Sequence, residues 1–344
     1  MRNNARNFIN EKNIEIDKIL DLVDGSNNIV ILTHKNPDGD AIGSAYAMLE
    51  YCKSKGKNVS AFVPYSFPSN MEFINYGNRI KSFDEKQDKD KILNADLIII
   101  VDLNSSERIA YIAKYVRESK AKKLLIDHHI DPENFCDYYF VNSDSASTGQ
   151  LIYAIIKSEN NYEISKRTAQ AIYTAIMTDT GSFRFPKTDA NVHRIVKNLL
   201  EAGADPVEAY DKVYNSFPIS ALKLRGRVYE KIETFKNDTV CFSQISEAEF
   251  KELNSKEEET EGIVESLLAV KSVKIAILLI ESAERGEIRC SFRAKANFNV
   301  SEMARFFGGG GHTQAAGARV INKSLTDVRS EIINYIEKNS FEVN

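Results

Sequence analysis

The sequence predicts an α/β fold with an N-terminal, mainly parallel sheet flanked by helices, a helical connector, and a smaller C-terminal α/β domain with a mixed sheet. In the first half of the chain, apolar runs of strand length alternate with helical patterns, which is typical of βαβ units. After about residue 226 the pattern becomes hairpin-like. A chain of 344 residues favours two domains. We predict a first domain at 1–188, a helical connector at 189–225 and a second domain at 226–344.

The N-terminal domain is predicted to follow a polar arm and a short helix within 1–27, whose buried stripe contains Ile14, Ile16, Ile19, Leu20 and Val23. Strands are predicted at 28–33, 58–63, 97–101, 124–126 and 138–141, and helices at 41–52, 71–76, 106–118, 147–157 and 165–178. The segment 64–91 is predicted to be irregular apart from 71–76. Asp40 suits the N-cap of helix 41–52, and Ser147 with Gln150 three residues later resembles a capping box.

Helix caps and apolar periodicity also locate the elements of the connector and the C-terminal domain. Asp205-Pro206 begins a second connector helix, with Asp as N-cap and Pro at the first helical position. The helices predicted from the connector onwards are 189–202, 205–215, 262–269, 300–307 and 325–338, and the strands are 239–245, 273–280, 287–294 and 315–321. A turn near Gly286 would join the second and third of these strands.

Composition excludes several classes of protein. The chain is 43% apolar and 27% charged with a net charge of −4, which gives no support for a long basic surface for nucleic acid. The four cysteines are far apart, without a C-x-x-C spacing, which fits a reducing cytoplasm. The first residues show no apolar signal segment, and no apolar run approaches the ~20 residues of a membrane span. We therefore expect a cytoplasmic protein without membrane contact.

Three predicted strands end in charged or imidazole side chains. The run 28–33 leads into His34, Asp38 and Asp40, the run 97–101 leads into Asp102, and the run 124–126 leads into Asp127-His128-His129. In open α/β sheets ligands bind at the carboxyl ends of the strands. The sequence therefore predicts that these side chains form one site.

Mixed carboxylate and imidazole ligands suit Mn²⁺, Fe²⁺ or Zn²⁺, and a majority of carboxylates favours Mn²⁺ or Mg²⁺. In isolation, the segment His34 to Asp40 could equally be a turn whose aspartates cap a helix. A purely structural role is harder to accept for all the polar residues that follow the three strands. Burying several ionised aspartates without a cation would cost many kcal/mol of folding free energy. Two metal ions could together activate a hydroxide for attack on a phosphorus atom. Asp102 is our choice for the carboxylate that bridges them.

A second motif lies in the C-terminal domain, where Ser291-x-Arg293 precedes Gly308–Gly311 and His312. Glycines let backbone N–H groups approach an anion, and an arginine grips a phosphate at two points. The alternatives are a flexible glycine loop and a solvated arginine on a strand.

These motifs together resemble the DHH phosphoesterase superfamily, in its first subfamily with a C-terminal DHH-associated domain. Asp127-His128-His129 is similar to the signature that names the superfamily, and Gly309-Gly310-Gly311-His312 resembles the signature of the associated domain. The resemblance covers about 15–340 with the motifs in the same order.

The resemblance implies specific roles. His34, Asp38 and Asp102 would hold one Mn²⁺, and Asp40, Asp102, His128 and Asp179 would hold the other. The catalytic residues would be Asp102, Asp127 as an orienting residue, and His129 at the phosphate or leaving group. The substrate-binding residues would be Arg108, Ser291, Arg293, Gly309, Gly310, Gly311 and His312. Asp179 enters through the resemblance alone. A homodimer through the N-terminal domain is also implied.

Size and content favour the branch of nanoRNases and 3′-phosphoadenosine 5′-phosphate (pAp) phosphatases. The chain is shorter than the single-strand DNA exonucleases, lacks the sensor segments of cyclic-di-AMP phosphodiesterases, and has a glycine motif that argues against the pyrophosphatase branch. We expect an Mn²⁺-dependent phosphoesterase that hydrolyses short oligoribonucleotides to mononucleotides and pAp to AMP. A phosphodiesterase for linear or cyclic dinucleotides such as pApA, and a non-catalytic RNA-binding protein, are the alternatives.

Overall fold

The computed structural model describes residues 12–159, 162–282, 286–295 and 297–339. The chain divides into two compact units, Met1–Ser216 and Phe217–Asn344, called here the first and second unit. Each has its own apolar core. Residues 1–11 of the predicted arm, and 283–285 beside the predicted turn at Gly286, lie outside the described residues.

A parallel sheet forms the centre of the first unit. Its described strands are β1 (Asn28–Leu32), β2 (Asn58–Val63), β3 (Ile80–Ser82), β4 (Leu97–Val101), β5 (Lys122–Asp127) and β6 (Tyr138–Val141). Their order across the sheet is β3-β2-β1-β4-β5-β6, and neighbours are parallel throughout. All five residues of β4 are buried, because helices cover both faces of a doubly wound sheet. The predicted fold class is confirmed for this unit.

Helices pack on both faces of this sheet. The described α-helices of the first unit are α1 (Ile16–Asp24), α2 (Gly39–Ser54), α3 (Glu85–Leu93), α4 (Ala113–Glu118), α5 (Thr148–Ser158), α6 (Lys166–Asp179), α7 (Ala190–Glu201) and α8 (Pro206–Tyr214). Short 3₁₀ helices occupy Ser69–Ile74 and Ser106–Ile112. Helix α2 is buried almost along its entire length, since it lies between the sheet and α6.

Two local predictions for the first unit were wrong. The N-cap of α2 is Asp38 rather than Asp40, because the Asp38 carboxylate accepts hydrogen bonds from the backbone N–H groups of Asp40 and Ala41. The segment 64–91 also contains β3 and most of α3, which the sequence analysis treated as irregular. Helix α3 is mostly polar and β3 is only three residues long, so neither produces a strong apolar period.

A mixed sheet forms the centre of the second unit. Its described strands are β7 (Glu233–Phe235), β8 (Val240–Ile245), β9 (Ile275–Ser282), β10 (Glu287–Ala294), β11 (Gly310–Gly311) and β12 (Ala315–Ile321), in the order β11-β12-β10-β9-β8-β7. Only β8 and β9 pair in parallel among these strands. The predicted mixed sheet is confirmed. Alternate residues of β10 are buried, as the two-residue period predicts.

The helices of the second unit flank this sheet, and some of them were not predicted. Those described are α9 (Ile219–Glu230), α10 (Glu247–Leu253), α11 (Ile263–Leu267), α12 (Ser301–Phe306) and α13 (Leu325–Lys338). The sequence analysis missed α9 and α10. No helix within the described ranges is both long and apolar enough to cross a membrane.

The predicted connector, 189–225, contains helices that pack with different cores. Val192 and Ala209, on α7 and α8, join the core of the first unit. Leu224, on α9, joins a core cluster of the second unit. The boundaries 188/189 and 225/226 stay predictions of domain organisation, and compactness places the division between Ser216 and Phe217.

Candidate active site

The predicted site residues of the first unit meet at the carboxyl edge of its sheet. Strands β1, β4 and β5 are neighbours in the sheet. His34 follows β1, Asp102 immediately follows β4, and Asp127 is the last residue of β5. Because parallel strands end at the same edge, residues almost a hundred positions apart become adjacent.

Three overlapping groups of side chains have ligand atoms within 4.8 Å of one another. They are His34 with Asp38 and Asp102; Asp40 with His128 and Asp179; and Asp102 with His128 and His129. Asp102 and His128 each belong to two groups, so the groups form one continuous cluster. It includes all six residues predicted as metal ligands.

Asp40 is held by the N-terminus of α5. Its two carboxylate oxygens accept hydrogen bonds from the backbone N–H groups of Thr148 and Gly149, at 2.7 and 2.8 Å. The residue is only 1% exposed. The positive end of the helix dipole therefore supports a buried negative charge, and the carboxylate is fixed before any ligand arrives.

The three histidines are oriented through their Nδ1 atoms. His34 Nδ1 donates to the Lys35 carbonyl at 2.9 Å, His128 Nδ1 faces the Ser145 carbonyl at 3.3 Å, and His129 Nδ1 donates to Asp127 Oδ1 at 2.7 Å. Such partners place the proton on Nδ1 and leave the lone pair on Nε2. His34 Nε2 lies 3.5 Å from Asp102 Oδ2, and His128 Nε2 lies 3.1 Å from Asp179 Oδ2.

Burial strongly perturbs the acids of this cluster. Burial, followed by the charge of Asp102, raises the pKa of Asp40 well above its ordinary value. Burial, followed by the charge of Asp38, raises the pKa of Asp102 in the same way and that of Asp179 to about 7. Carboxylates this close cannot all be ionised without a compensating cation.

The imidazoles shift in the opposite direction. Burial, and then the neighbouring His129, lowers the pKa of His128 to about 4. Burial, and then the charge of Arg108, lowers the pKa of His34. Neutral imidazoles are the form that binds a metal. The cluster thus combines acids that need a cation with histidines held ready to coordinate one.

Two buried polar atoms have no hydrogen-bond partner among the described residues: His34 Nε2, in the cluster, and Asp127 Oδ2, on the residue that orients His129. A buried polar atom without a partner is costly. At His34 the unpaired atom is the nitrogen that faces Asp102. The residues present therefore fit a bound cation better than they fit a purely structural core.

Thr148 is a site residue that the sequence analysis missed. Its hydroxyl donates to Asp102 Oδ1 at 3.0 Å, and its backbone N–H group binds Asp40. The capping pattern at Ser147 located the start of α5, but nothing local shows that this helix N-terminus faces the strand ends.

The predicted substrate-binding residues of the second unit lie on or beside β10 and β11, the two strands that flank β12. Ser291 pairs with Gly317, which pairs with Gly310 in turn. Gly309 has no space for a side chain, because a Cβ there would lie 2.1 Å from the Gly317 carbonyl oxygen. Gly310 faces open space.

Arg293 and His312 lie at the same end of this sheet. Arg293 Nε donates to Glu265 Oε1 at 2.7 Å, and the His312 backbone N–H group donates to the Ala315 carbonyl. Gly311 has a φ of 136°, so a side chain at this position would strain the backbone. In the first unit, Arg108 lies beside the cluster, since its carbonyl accepts from the Lys35 backbone at 2.7 Å.

Comparisons with known proteins match both units. Residues 28–176 match the family described as "DHH family, N-terminal domain", and residues 237–338 match the "DHHA1 domain". The chain is 28% identical to a probable bifunctional oligoribonuclease and PAP phosphatase NrnA of Streptococcus mutans, over 93% of this chain and 98% of that protein. It is 24% identical to the bifunctional oligoribonuclease and PAP phosphatase NrnA of Bacillus subtilis, over 87% and 91% of the two chains.

The chain is also similar to a solved structure over almost its entire length. That structure is of an exopolyphosphatase-related protein of Bacteroides fragilis, with 31% sequence identity and a TM-score of 0.88, covering 94% of this chain and 95% of that one.

Proposed function

Because this chain belongs to the DHH family and carries a DHHA1 domain, we propose that it is a metal-dependent phosphoric ester hydrolase. Its substrates are short oligoribonucleotides, which it hydrolyses to mononucleotides, and pAp, which it converts to AMP. The names of the Streptococcus and Bacillus relatives support this choice of substrates. The four buried, free cysteines support a reducing cytoplasm as its compartment.

The observation that carries the proposal is the continuous cluster of acids and imidazoles around Asp102. We assign His34, Asp38 and Asp102 to one divalent cation, and Asp40, Asp102, His128 and Asp179 to a second. Mixed oxygen and nitrogen ligands favour Mn²⁺. Bound there, the pair of cations supplies an activated water and neutralises charge on the phosphoryl oxygens.

Asp127 and His129 act together as an orienting and a proton-carrying residue. Asp127 is fully buried and accepts from His129 Nδ1, which fixes the imidazole ring. The His129 side chain is 30% exposed, and because Nδ1 is bonded to Asp127, Nε2 is the ring nitrogen left for a substrate. With both ring nitrogens protonated and the positive charge balanced by Asp127, His129 Nε2 is our assignment for the donor of the proton that the leaving oxygen receives.

The second unit supplies substrate-binding residues. Arg293, Ser291 and His312 bind a phosphate or the sugar. The backbone of Gly309 to Gly311 approaches it at Gly310, which faces open space and leaves room for an anion. Arg108 of the first unit adds a positive charge beside His34. Arg293 must exchange its ion pair with Glu265 for the substrate, which suits reversible binding.

A substrate panel tests the proposal. The full-length protein is supplied with Mn²⁺, Mg²⁺ or EDTA, and release of mononucleotide or phosphate is measured for RNA 2-mers to 24-mers, pApA, cyclic-di-AMP, pAp and pyrophosphate. We expect fastest turnover of the RNA 2-mer to 5-mer and of pAp, with none in EDTA. Preferred turnover of pApA or cyclic-di-AMP would support the dinucleotide alternative, which shares every site residue. RNA binding without turnover under any metal would support the non-catalytic alternative.

Family resemblance also supports a homodimer formed through the first unit. Light scattering over a range of concentrations tests this, and a mass equal to that of one chain at every concentration would contradict it.

A further inference from the structure

An open pocket of about 410 Å³ lies in the first unit, and its walls come from neighbouring strand ends. Lys35 follows β1, Tyr65 follows β2, and Glu107, Ala110, Tyr111 and Arg117 follow β4. Strands β2, β1 and β4 are adjacent in this order. The pocket therefore opens at the same carboxyl edge as the candidate active site, where α/β sheets bind ligands.

The wall of the pocket is joined directly to the metal cluster. The Lys35 carbonyl accepts from His34 Nδ1 at 2.9 Å, and the Lys35 backbone N–H group donates to the Arg108 carbonyl at 2.7 Å. A ligand in the pocket thus borders a residue that is hydrogen-bonded to the histidine assigned to one cation.

Two tyrosine rings form an open aromatic face in the pocket. Tyr65 and Tyr111 remain 50% and 36% exposed, and their ring centroids are 5.6 Å apart. Tyr111 is anchored from behind, because its ring packs against Phe83 and its hydroxyl donates to the Phe83 carbonyl at 2.8 Å. A ring fixed before binding loses little entropy when a ligand stacks on it.

The charges of the pocket suit a ligand with a small negative charge. Lys35 and Arg117 offset Glu107, which leaves a net charge of about +1 by formal counting.

Ala110, at the pocket wall, has a φ of 54° and a ψ of −136°. A non-glycine residue held in this region stores backbone strain, which concentrates at functional sites.

We propose that this pocket binds a nucleobase of the substrate by stacking on Tyr65 and Tyr111, while the attached phosphate reaches the cluster around Asp102. This inference rests on the proposed function, because it takes a nucleotide as the substrate. A nucleotide is the ligand that combines a planar base, which can stack, with a phosphate at its other end. Stacking on an aromatic ring tolerates any base, as an enzyme for short RNA of mixed sequence requires.

Tyr65→Leu tests the inference, because leucine keeps apolar bulk at an exposed position and removes the ring. We measure KM and kcat for a diribonucleotide and for its analogue without one base. From the usual strength of base stacking, KM for the complete dinucleotide should rise about 5- to 150-fold, with kcat and the KM of the abasic analogue unchanged. Tyr65→Phe should restore the wild-type KM, and Tyr111→Phe should retain it.

Tyr210→Leu is the matched control, since Tyr210 is 46% exposed on α8 of the same unit and does not line the pocket. This variant should behave as wild type. An unchanged KM in Tyr65→Leu, an equal rise for the abasic analogue, or a failure of Tyr65→Phe to rescue would each overturn the inference.

Calorimetry separates this inference from the proposed function. AMP and ribose 5-phosphate are titrated into the wild type and Tyr65→Leu, both checked for folding by circular dichroism. Tighter binding of AMP than of ribose 5-phosphate, lost in Tyr65→Leu, supports the pocket even if no RNA or pAp is hydrolysed. Hydrolysis of RNA and pAp with equal AMP affinity in the two proteins would leave the proposed function standing and refute the pocket.

Discussion

Asp102 combines three features that are rare in one aspartate. It immediately follows the buried strand β4, it is 2% exposed, and its φ is 63°, in the left-handed region that most residues avoid. Its backbone N–H group donates to the Ile126 carbonyl at 3.0 Å and its Oδ1 accepts from Thr148. These bonds hold the strained conformation, so the carboxylate faces both His34 and His128.

We predict that Asp102→Asn lowers kcat on pAp and on a diribonucleotide by more than tenfold, a loss above ~1.4 kcal/mol. The substitution keeps the shape but removes the charge assigned to both cations. Steady-state kinetics in Mn²⁺ provide the measurement, and Asp90→Asn, an exposed carboxylate on α3, is the control. Retention of more than a tenth of wild-type kcat would show that Asp102 does not serve both cations.

The shifted pKa values predict how the stability of the metal-free protein depends on pH. Asp40, Asp102 and Asp179 have raised pKa values, about 7 for Asp179, so they retain protons in the folded state that the unfolded chain has lost. The stability that the Asp179 proton contributes is lost as pH rises through about 7. The protons of Asp40 and Asp102 act in the same direction. The histidines act oppositely, but only below their ordinary pKa of 6.5.

We therefore expect the Tm of the protein in EDTA to rise when pH is lowered from about 8 to about 6.5. Excess Mn²⁺ should raise Tm more at the higher pH, because binding requires deprotonated ligands. Scanning fluorimetry measures Tm in EDTA and in Mn²⁺ at each of the two pH values. The variant Asp102→Asn, which lacks one buried acid, is measured in the same way for comparison. A smaller Mn²⁺ effect at the higher pH would contradict the proposed ligand set.

At the scale of elements, close helix packing positions the metal cluster. Helices α2 and α6 touch at Gly43, where a Cβ would lie 2.3 Å from the Ala171 carbonyl oxygen. Helices α5 and α6 touch at Gly149, where a Cβ would lie 2.5 Å from the Ala175 Cβ. The close contact of α2 with α6 brings Asp40, at the start of α2, and Asp179, at the end of α6, into the metal cluster.

Gly43→Ala should destabilise the first unit by ~1–3 kcal/mol, because the added methyl group meets backbone that cannot move freely. Gly226→Ala on α9 is a matched glycine-to-alanine change in an open helix position, since a Cβ there meets nothing within 4 Å. It should stabilise by roughly 0.5–1 kcal/mol. Urea unfolding followed by circular dichroism measures both changes, and an unaltered transition in Gly43→Ala would refute the close contact.

At the scale of the whole molecule, the two units divide the work that we propose. All candidate metal ligands belong to the first unit, and the glycine-rich strand and Arg293 belong to the second. The net charge of −4 gives no indication of a basic track for a long nucleic acid. We therefore expect the protein to contact only a few phosphates.

We predict that kcat/KM falls steeply for RNAs longer than about five nucleotides, since further phosphates find no basic surface. Salt dependence should be shallow for the same reason. Rates on 2-mer, 5-mer and 24-mer RNA at several salt concentrations provide the measurement. Equal rates on the 2-mer and the 24-mer, or a salt slope that implies six or more phosphate contacts, would point instead to a long nucleic-acid path.

The sequence by itself determined the class of the fold and most of the candidate site. Apolar runs such as 97–101 are long, local signals, and the polar residues that end them mark the edge where ligands bind. His34, Asp38, Asp40, Asp102 and the Asp127-His128-His129 triplet were all predicted from this rule. The alternation along β10 likewise followed from a period of two residues.

Only the tertiary structure showed the contacts between residues that are distant in the sequence. Asp179 ends an ordinary amphipathic helix, and only the packing of α6 on α2 brings it within 3.1 Å of His128. Thr148 became a site residue because α5 begins beside β4. The face formed by Tyr65 and Tyr111 required the order β2-β1-β4. Local periodicity fixes which residues form an element and which face they bury, but contacts between elements depend on long-range packing, which no short segment of sequence encodes.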